Sequence, residues 1–349
     1  MRADFSRADE VVRQGLRDGA YTAACLLVGC GGRVLHRRAY GRLNLEDDSL
    51  RVNEQTRFDA DSLTKPLVTG MLTLRALEAG KLCLNDRLDS FIDAPEDKAE
   101  ITIAQLLTHT AGFSTGLHLW RQARTPDEAA GVILHAPLAA APGTQVQYCC
   151  AGYILLGQLL ECLYDMNLSD LAVQEVFWPL RMQRTGFLPV DGNVAATEMQ
   201  DDGRCLQGVA HDENARFLGG AAGNAGLFTT MDDLALFWQM ISAKGELPDG
   251  SRYLSRASVK LLLENRTPGM AQPRGLGFAF PGMTGGFTGD LFPAETVGHT
   301  GFTGCSMAYD PTTDLYVVFL TNRICPSREN PSIHRIRRLL HNAVYAAVN

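Results

Sequence analysis

Strand-like patterns sit at the two ends of this 349-residue chain, and helix-like patterns fill its middle. Near the start, "TAACLLVG" and "VLHRRAYGRL" flank the turn "CGGR", whose glycines at 31 and 32 suit a β-hairpin. Near the end, "ETVGHTGFTG", "CSMAYDP" and "LYVVFLTNR" read as successive strands, the last two joined by "DPTTD". Residues 81–185 are mostly helical by period, most clearly "ITIAQLLTHTAGF" and "AGYILLGQLLECLYDM". Amphipathic patterns at 8–18, with Val11, Val12 and Leu16 on one side, and at "IHRIRRLLHNAVYAAV" supply terminal helices. A sheet drawn from both ends must close around what lies between. The expected fold is therefore α/β (α+β): an antiparallel sheet flanked by terminal helices, with a mostly helical lobe inserted. The expected division is 1–80 with 186–349 as the sheet domain and 81–185 as the helical domain, with the active site at their interface. The loop "PGMTGGFTGD" (281–290) is expected to be mobile.

Composition narrows the function classes. Hydrophobic residues make up 46%, enough for one large core or two lobes sharing a cleft. A net charge of -7 with no basic cluster argues against nucleic acid. The arginines of "RIRRLL" read as a solvated helix face. No stretch has the length of a membrane span, and the N-terminus shows no apolar signal core. The nine cysteines are scattered with no C-x-x-C, which argues against a zinc site or disulfide framework. Reduced thiols in a cytoplasmic protein fit best.

One short motif carries chemistry. In "DADSLTKPLVTG" (59–70), Ser62 and Lys65 are three apart and share a helix face. A lysine there can hydrogen-bond the serine and, if its pKa falls, accept its proton. Pro66 lacks an N–H, which only a first turn tolerates, so it fixes the helix start near Ser62. The helix is expected to run to Gly80. Free N–H groups at that start favour a developing oxyanion. A rival is Ser114 in "GFSTG", which matches a nucleophile elbow but lacks the strand that should precede it.

Two further stretches raise Ser62. Tyr148 in "VQYCCAGYILLG" precedes a helix, and His299, Thr300 and Gly301 in "VGHTGFTG" lie on a late strand. This ordered set, with "LLTHTAGF", "APGTQVQYCCAGYILLG" and "GLGF" around it, resembles the serine β-lactamase and penicillin-binding protein superfamily over roughly residues 20–345. The nearest branch is that of class C β-lactamases and related esterases and peptidases. The stretches 211–235 and "GHTGFTGCSMAYDP" are similar to a subgroup that includes amidases removing the peptide from N-acetylmuramic acid.

The resemblance implies that Ser62 is acylated, that Lys65 and Tyr148 move its proton, and that the N–H groups of Ser62 and Phe302 form the oxyanion hole. A lysine near the phenol would favour its ionised form and let Tyr148 act as base. His299, Thr300 and Gly301 would line the substrate side. Cys150 stands where the pattern has asparagine, and a thiol is a weak hydrogen-bonding group. His299 replaces a fixed cation with a titratable ring. Amide recognition and β-lactam binding are both expected to suffer. His109 is read as a buried structural histidine, and "HDEN" (211–214) as a loop-bracing polar network.

The expected function is a serine hydrolase that cleaves an ester or amide without metal or organic cofactor. Its substrate would be a small ester, amide or muropeptide-like molecule, and β-lactamase activity would be weak or absent. The alternative is a covalent sensor of the penicillin-binding type, or a non-catalytic binding protein.

Overall fold

A computed structural model describes residues 3–189, 191–281 and 286–349. Among these are eight strands: β1 (Ala23–Cys30), β2 (Arg33–Gly41), β3 (Phe58–Asp59), β4 (Gly186–Phe187), β5 (Leu227–Thr229), β6 (Val297–Thr300), β7 (Ser306–Asp310) and β8 (Leu315–Thr321). Five of them make one sheet in the order β2-β1-β8-β7-β6, antiparallel throughout. The hairpin and the three late strands appear where the sequence puts them. Gly31 and Gly32, at φ +51 and +76, make the left-handed turn between β1 and β2.

The first strand pairs with the last, Ala24 opposite Thr321, so the two chain ends meet in the sheet centre. Both faces of that centre are buried, and the period-two alternation divides them. Leu26, Val28, Val317 and Phe319 meet Val12 of the N-terminal helix Ser6–Arg17 and Leu340 and Val344 of the C-terminal helix Ile333–Val348. Cys25, Leu27, Val318 and Leu320 face the larger core, with Trp238 of the helix Met231–Ser242. Each such aliphatic side chain contributes about 1.5–3 kcal/mol when fully buried.

The segment from Ser62 is less regular than the single helix expected. A 3₁₀ turn at Asp61–Leu63 passes into a π-helical stretch, Lys65–Gly70, and then an α-helix, Met71–Glu78. Pro66 falls in the first turn of the π stretch, where its missing N–H costs nothing, and Gly80 ends the run at φ +68. Every residue from 60 to 74 is buried, so this element threads the core.

The middle of the chain is helical, in shorter pieces than its pattern. In "ITIAQLLTHTAGF" only Ile103–Leu107 is α-helix, opened by a capping box between Thr102 and Gln105. His109 takes a left-handed φ of 58 that breaks the run. The helix Ala151–Tyr164 matches its pattern. A three-stranded sheet, β3-β5-β4, has no counterpart in the sequence reading, because two- and three-residue strands carry no detectable period. It seats Asp59 and Ala60, three and two residues before the serine. Residues 282–285, inside the loop expected to be mobile, lie outside the described residues.

Candidate active site

The structure brings Ser62, Lys65, Tyr148, Cys150, His299, Thr300, Gly301 and Phe302 together between the main sheet and the helices. Lys65 is fully buried, and its ammonium reaches three acceptors: Ser62 Oγ at 3.1 Å, the Asn224 carbonyl at 2.9 Å and Cys150 Sγ at 3.6 Å. It also lies 5.1 Å from the Tyr148 ring centre. Asn224 is a partner that no sequence signal singled out.

The ionisation states at rest follow from burial set against neighbouring charge. Burial alone would lower Lys65, but the acidic groups of Cys150, Tyr148 and Asp61 around it outweigh burial and shift it upward, toward the ammonium form. Burial raises the Tyr148 phenol above its ordinary value, and the opposing pull of Lys65 and Ser62 does not cancel this. The resting pair is therefore ammonium and neutral phenol. Burial likewise raises the Cys150 thiol, so it meets Lys65 as a neutral, weakly accepting group.

Tyr148 is held from behind. His109, 3% exposed, accepts the Cys149 N–H at 3.3 Å through Nδ1 and packs its ring 4.5 Å from Tyr148. It is a brace, as its sequence context indicated. Gly301 brings β6 against the serine turn: a Cβ there would lie 2.6 Å from the Ala60 carbonyl oxygen, so only glycine allows the approach. That approach aims the Phe302 N–H into the site. At rest this N–H donates to Asp61 Oδ2 at 2.9 Å, and the Ser62 hydroxyl donates to Asp61 Oδ1 at 3.0 Å. Asp61 was not among the residues expected to matter.

A cavity of about 420 Å³ opens beside Ser62 and Tyr148. Its lining residues include His299 and three arginines, Arg274, Arg323 and Arg337. His299 sits with Nδ1 2.9 Å from the Thr300 carbonyl and Nε2 buried with no partner among the described residues; burial and nearby Arg274 hold it neutral. Arg337 corrects the reading of "RIRRLL" as a solvated face. It is 4% exposed and donates to the carbonyls of Gly304 and Cys305. Its burial lowers its pKa to about 10, which leaves it charged at neutral pH. The missed signal was periodic: Arg337 falls in the buried stripe of Ile333, Leu340 and Val344.

A second cavity, about 260 Å³, lies on the other side of Tyr148 and Cys150 and includes Ser114 and Asp212. Ser114 donates to the Pro137 carbonyl at 2.9 Å and follows an isolated bridge at Phe113, so it stands on no strand-to-helix elbow. The 211–214 stretch braces the wall. His211 Nε2 lies 3.0 Å from Glu198 Oε2 and its ring stacks on Phe302, while Asp212 caps the short helix Glu213–Phe217. Arg328 donates to Glu198 and to Glu213, each at 2.8 Å. Glu198 and Arg328 were invisible in the sequence, being 130 residues apart.

Among the described residues, no group of three or more His, Cys, Asp or Glu side chains has the arrangement to hold a metal ion, and no helix is long and apolar enough to cross a membrane.

Residues 8–341 match the family model described as Beta-lactamase. The chain is similar to an N-acetylmuramyl-L-alanine amidase from Bacillus subtilis (strain 168), 26% identical over 94% of this chain and 83% of the amidase. Among solved structures it is similar in fold to EstCE1, described as a hydrolase with promiscuous acyltransferase activity, with a TM-score of 0.77, 24% identity and 97% of both chains covered. It is also similar to an octameric penicillin-binding protein homologue from Pyrococcus abyssi, with a TM-score of 0.75, 20% identity, and 96% of this chain and 76% of that one covered. With a serine–lysine pair at a sheet edge, a tyrosine across from it and a family match over nearly its whole length, the chain belongs to the beta-lactamase family of serine hydrolases.

Proposed function

We propose that this serine hydrolase is an esterase or amidase in which Ser62 attacks the scissile carbonyl and carries the acyl group. Lys65 and Tyr148 serve as the proton-transfer pair, and the N–H groups of Ser62 and Phe302 as the oxyanion hole. The observation that carries the reading is the 3.1 Å contact between Lys65 Nζ and Ser62 Oγ beside a cavity whose lining includes three arginines. Tyr148 takes the Ser62 proton as the phenolate, a form that the adjacent Lys65 ammonium makes accessible, and then passes it to the leaving group. Once acylated, the same pair activates water for release.

Arg274, Arg323 and Arg337 favour a substrate with a carboxylate near the scissile bond. A muropeptide-like amide has one, and the Bacillus amidase supports that class by its name. A short ester is the other candidate, supported by the hydrolase described for EstCE1. β-Lactam turnover is weak or absent in this reading. Cys150 offers no amide side chain, and neutral His299 offers no fixed charge on the strand beside Ser62, so the cavity's charge comes from arginines placed elsewhere. The nine free thiols support a cytoplasmic setting.

The test is a fluorophosphonate probe followed by a substrate panel. The probe should label wild type and Ser114→Ala but not Ser62→Ala. Persistent labelling of Ser62→Ala refutes the nucleophile assignment. In the panel, p-nitrophenyl acetate, a muramyl peptide and a cephalosporin are compared. Steady turnover of the first or second supports the hydrolase. A single stoichiometric burst with no turnover points instead to the covalent sensor, and efficient cephalosporin turnover overturns the argument from Cys150 and His299.

A further inference from the structure

Asp61, directly before Ser62, has no part in the chemistry above, yet it touches two of that chemistry's groups. It is 4% exposed and takes a φ of +47, a left-handed conformation that non-glycine residues rarely hold. One carboxylate oxygen accepts the Ser62 hydroxyl and the other accepts the Phe302 N–H. Acyl transfer puts a negatively charged oxygen where such an N–H points. Asp61 Oδ2 already supplies that charge and that hydrogen bond.

We propose that Asp61 occupies the oxyanion position of the resting enzyme and acts as a specificity-determining gate. A substrate acylates Ser62 only when its carbonyl oxygen displaces Asp61 Oδ2 from the Phe302 N–H. The inference rests on the proposed role of Ser62. Burial and nearby Asp212 raise the Asp61 carboxyl, while Lys65, which donates to Ser62, pulls the other way. As the chain neighbour of Ser62, Asp61 stays beside the serine when displaced, and its negative charge then faces the forming oxyanion. That repulsion weighs most on amides, whose poor leaving group makes the charged intermediate dominate the barrier, and least on activated esters. The gate thus biases the site toward esters.

Two substitutions test it. Asp61→Gly removes the carboxylate and suits the positive φ. Asp61→Asn keeps the shape, tolerates that φ and removes the charge. The readouts are the rate of fluorophosphonate labelling, kcat/KM for p-nitrophenyl acetate and for the matching p-nitroanilide, and the melting temperature. Asp61→Gly should label faster and raise kcat/KM on the anilide about tenfold or more, the scale of one charge-assisted hydrogen bond. The gain on the ester should be smaller, and Asp61→Asn should move in the same direction by less. If the glycine variant does not fold, the asparagine variant carries the comparison alone. A fall in labelling and turnover with unchanged melting overturns the gate and makes Asp61 a required base. Unchanged rates overturn it too. Labelling that survives Ser62→Ala in either background locates the failure in the nucleophile assignment instead.

Discussion

Replacing Gly301 by alanine should cost this enzyme far more activity than stability. The added Cβ would lie 2.6 Å from the Ala60 carbonyl oxygen and 3.3 Å from Thr303 Oγ1, whereas ordinary contact begins at 3.4 Å. The backbone clash can be relieved only by moving β6 away from the serine turn by about 0.8 Å. Overpacking of this kind costs roughly 1–3 kcal/mol, a shift of a few degrees in melting temperature for a chain of this size. The chemistry is less tolerant, since a working site must hold its groups within about 0.5 Å. Phe302, whose N–H is the proposed oxyanion donor, follows Gly301 directly and would move with it. Losing one such donor lowers kcat by about 10²–10³. The assay pairs kcat for p-nitrophenyl acetate with differential scanning calorimetry on the same preparation. The reasoning is refuted if kcat stays within a few-fold of wild type while the protein remains folded. A loss of both quantities in proportion would also refute it, because the effect would then be ordinary destabilisation.

Tyr148→Phe should lower kcat by roughly 10²–10⁴ with a smaller change in KM. Because burial raises the phenol, wild-type kcat/KM should climb steadily from pH 6 to 9, and a plateau near neutrality would identify a different base. Cys150→Asn should raise the amide-to-ester ratio of kcat/KM, and an unchanged ratio would mean that the thiol only packs. Arg337→Met should raise KM for a carboxylate-bearing ester about tenfold while sparing a neutral one; equal losses on both would make Arg337 purely structural. Hydrogen bonds from Arg328 hold the Glu198 carboxyl down at about 2. A carboxylate depressed in the folded state stabilises above its unfolded pKa, near 4.3–4.5, and that contribution is lost as pH falls toward 2. Glu198→Gln should therefore melt lower at pH 7 and show a shallower acid limb than wild type, whereas parallel melting curves would remove the ion pair from the stability argument.

The parts of this site that were legible in the sequence are those written locally. Ser62 and Lys65 are three residues apart, so one helical turn joins them whatever the rest of the chain does. The hairpin and the C-terminal helix were likewise announced by turn glycines and by period. Tyr148 and the His299–Gly301 strand became legible through resemblance, because nothing local says that they meet Ser62. What stayed hidden was pairwise and distant. Asp61 matters through Phe302, 241 residues away, and Glu198 through Arg328. The ionisation states were left open for a related reason: the balance between burial and neighbouring charge at Lys65 and Tyr148 depends on packing that no spacing encodes. Arg337 was the one legible residue passed over, its place in the apolar stripe masked by exposed Arg335 and Arg338.

Because β1 pairs with β8, the two halves of the site are made at very different times. The serine turn leaves the ribosome long before Phe302, which follows it by 240 residues. At about 5–20 residues per second, that interval is roughly 12–48 s. Throughout it the nascent chain has Ser62 and Lys65 but neither β6 nor the oxyanion donor, and its central strand has no partner on one edge. A nascent or truncated chain of this design lacks the Phe302 N–H proposed for the oxyanion hole, and it depends on its final strands to cover an apolar edge that would otherwise invite aggregation.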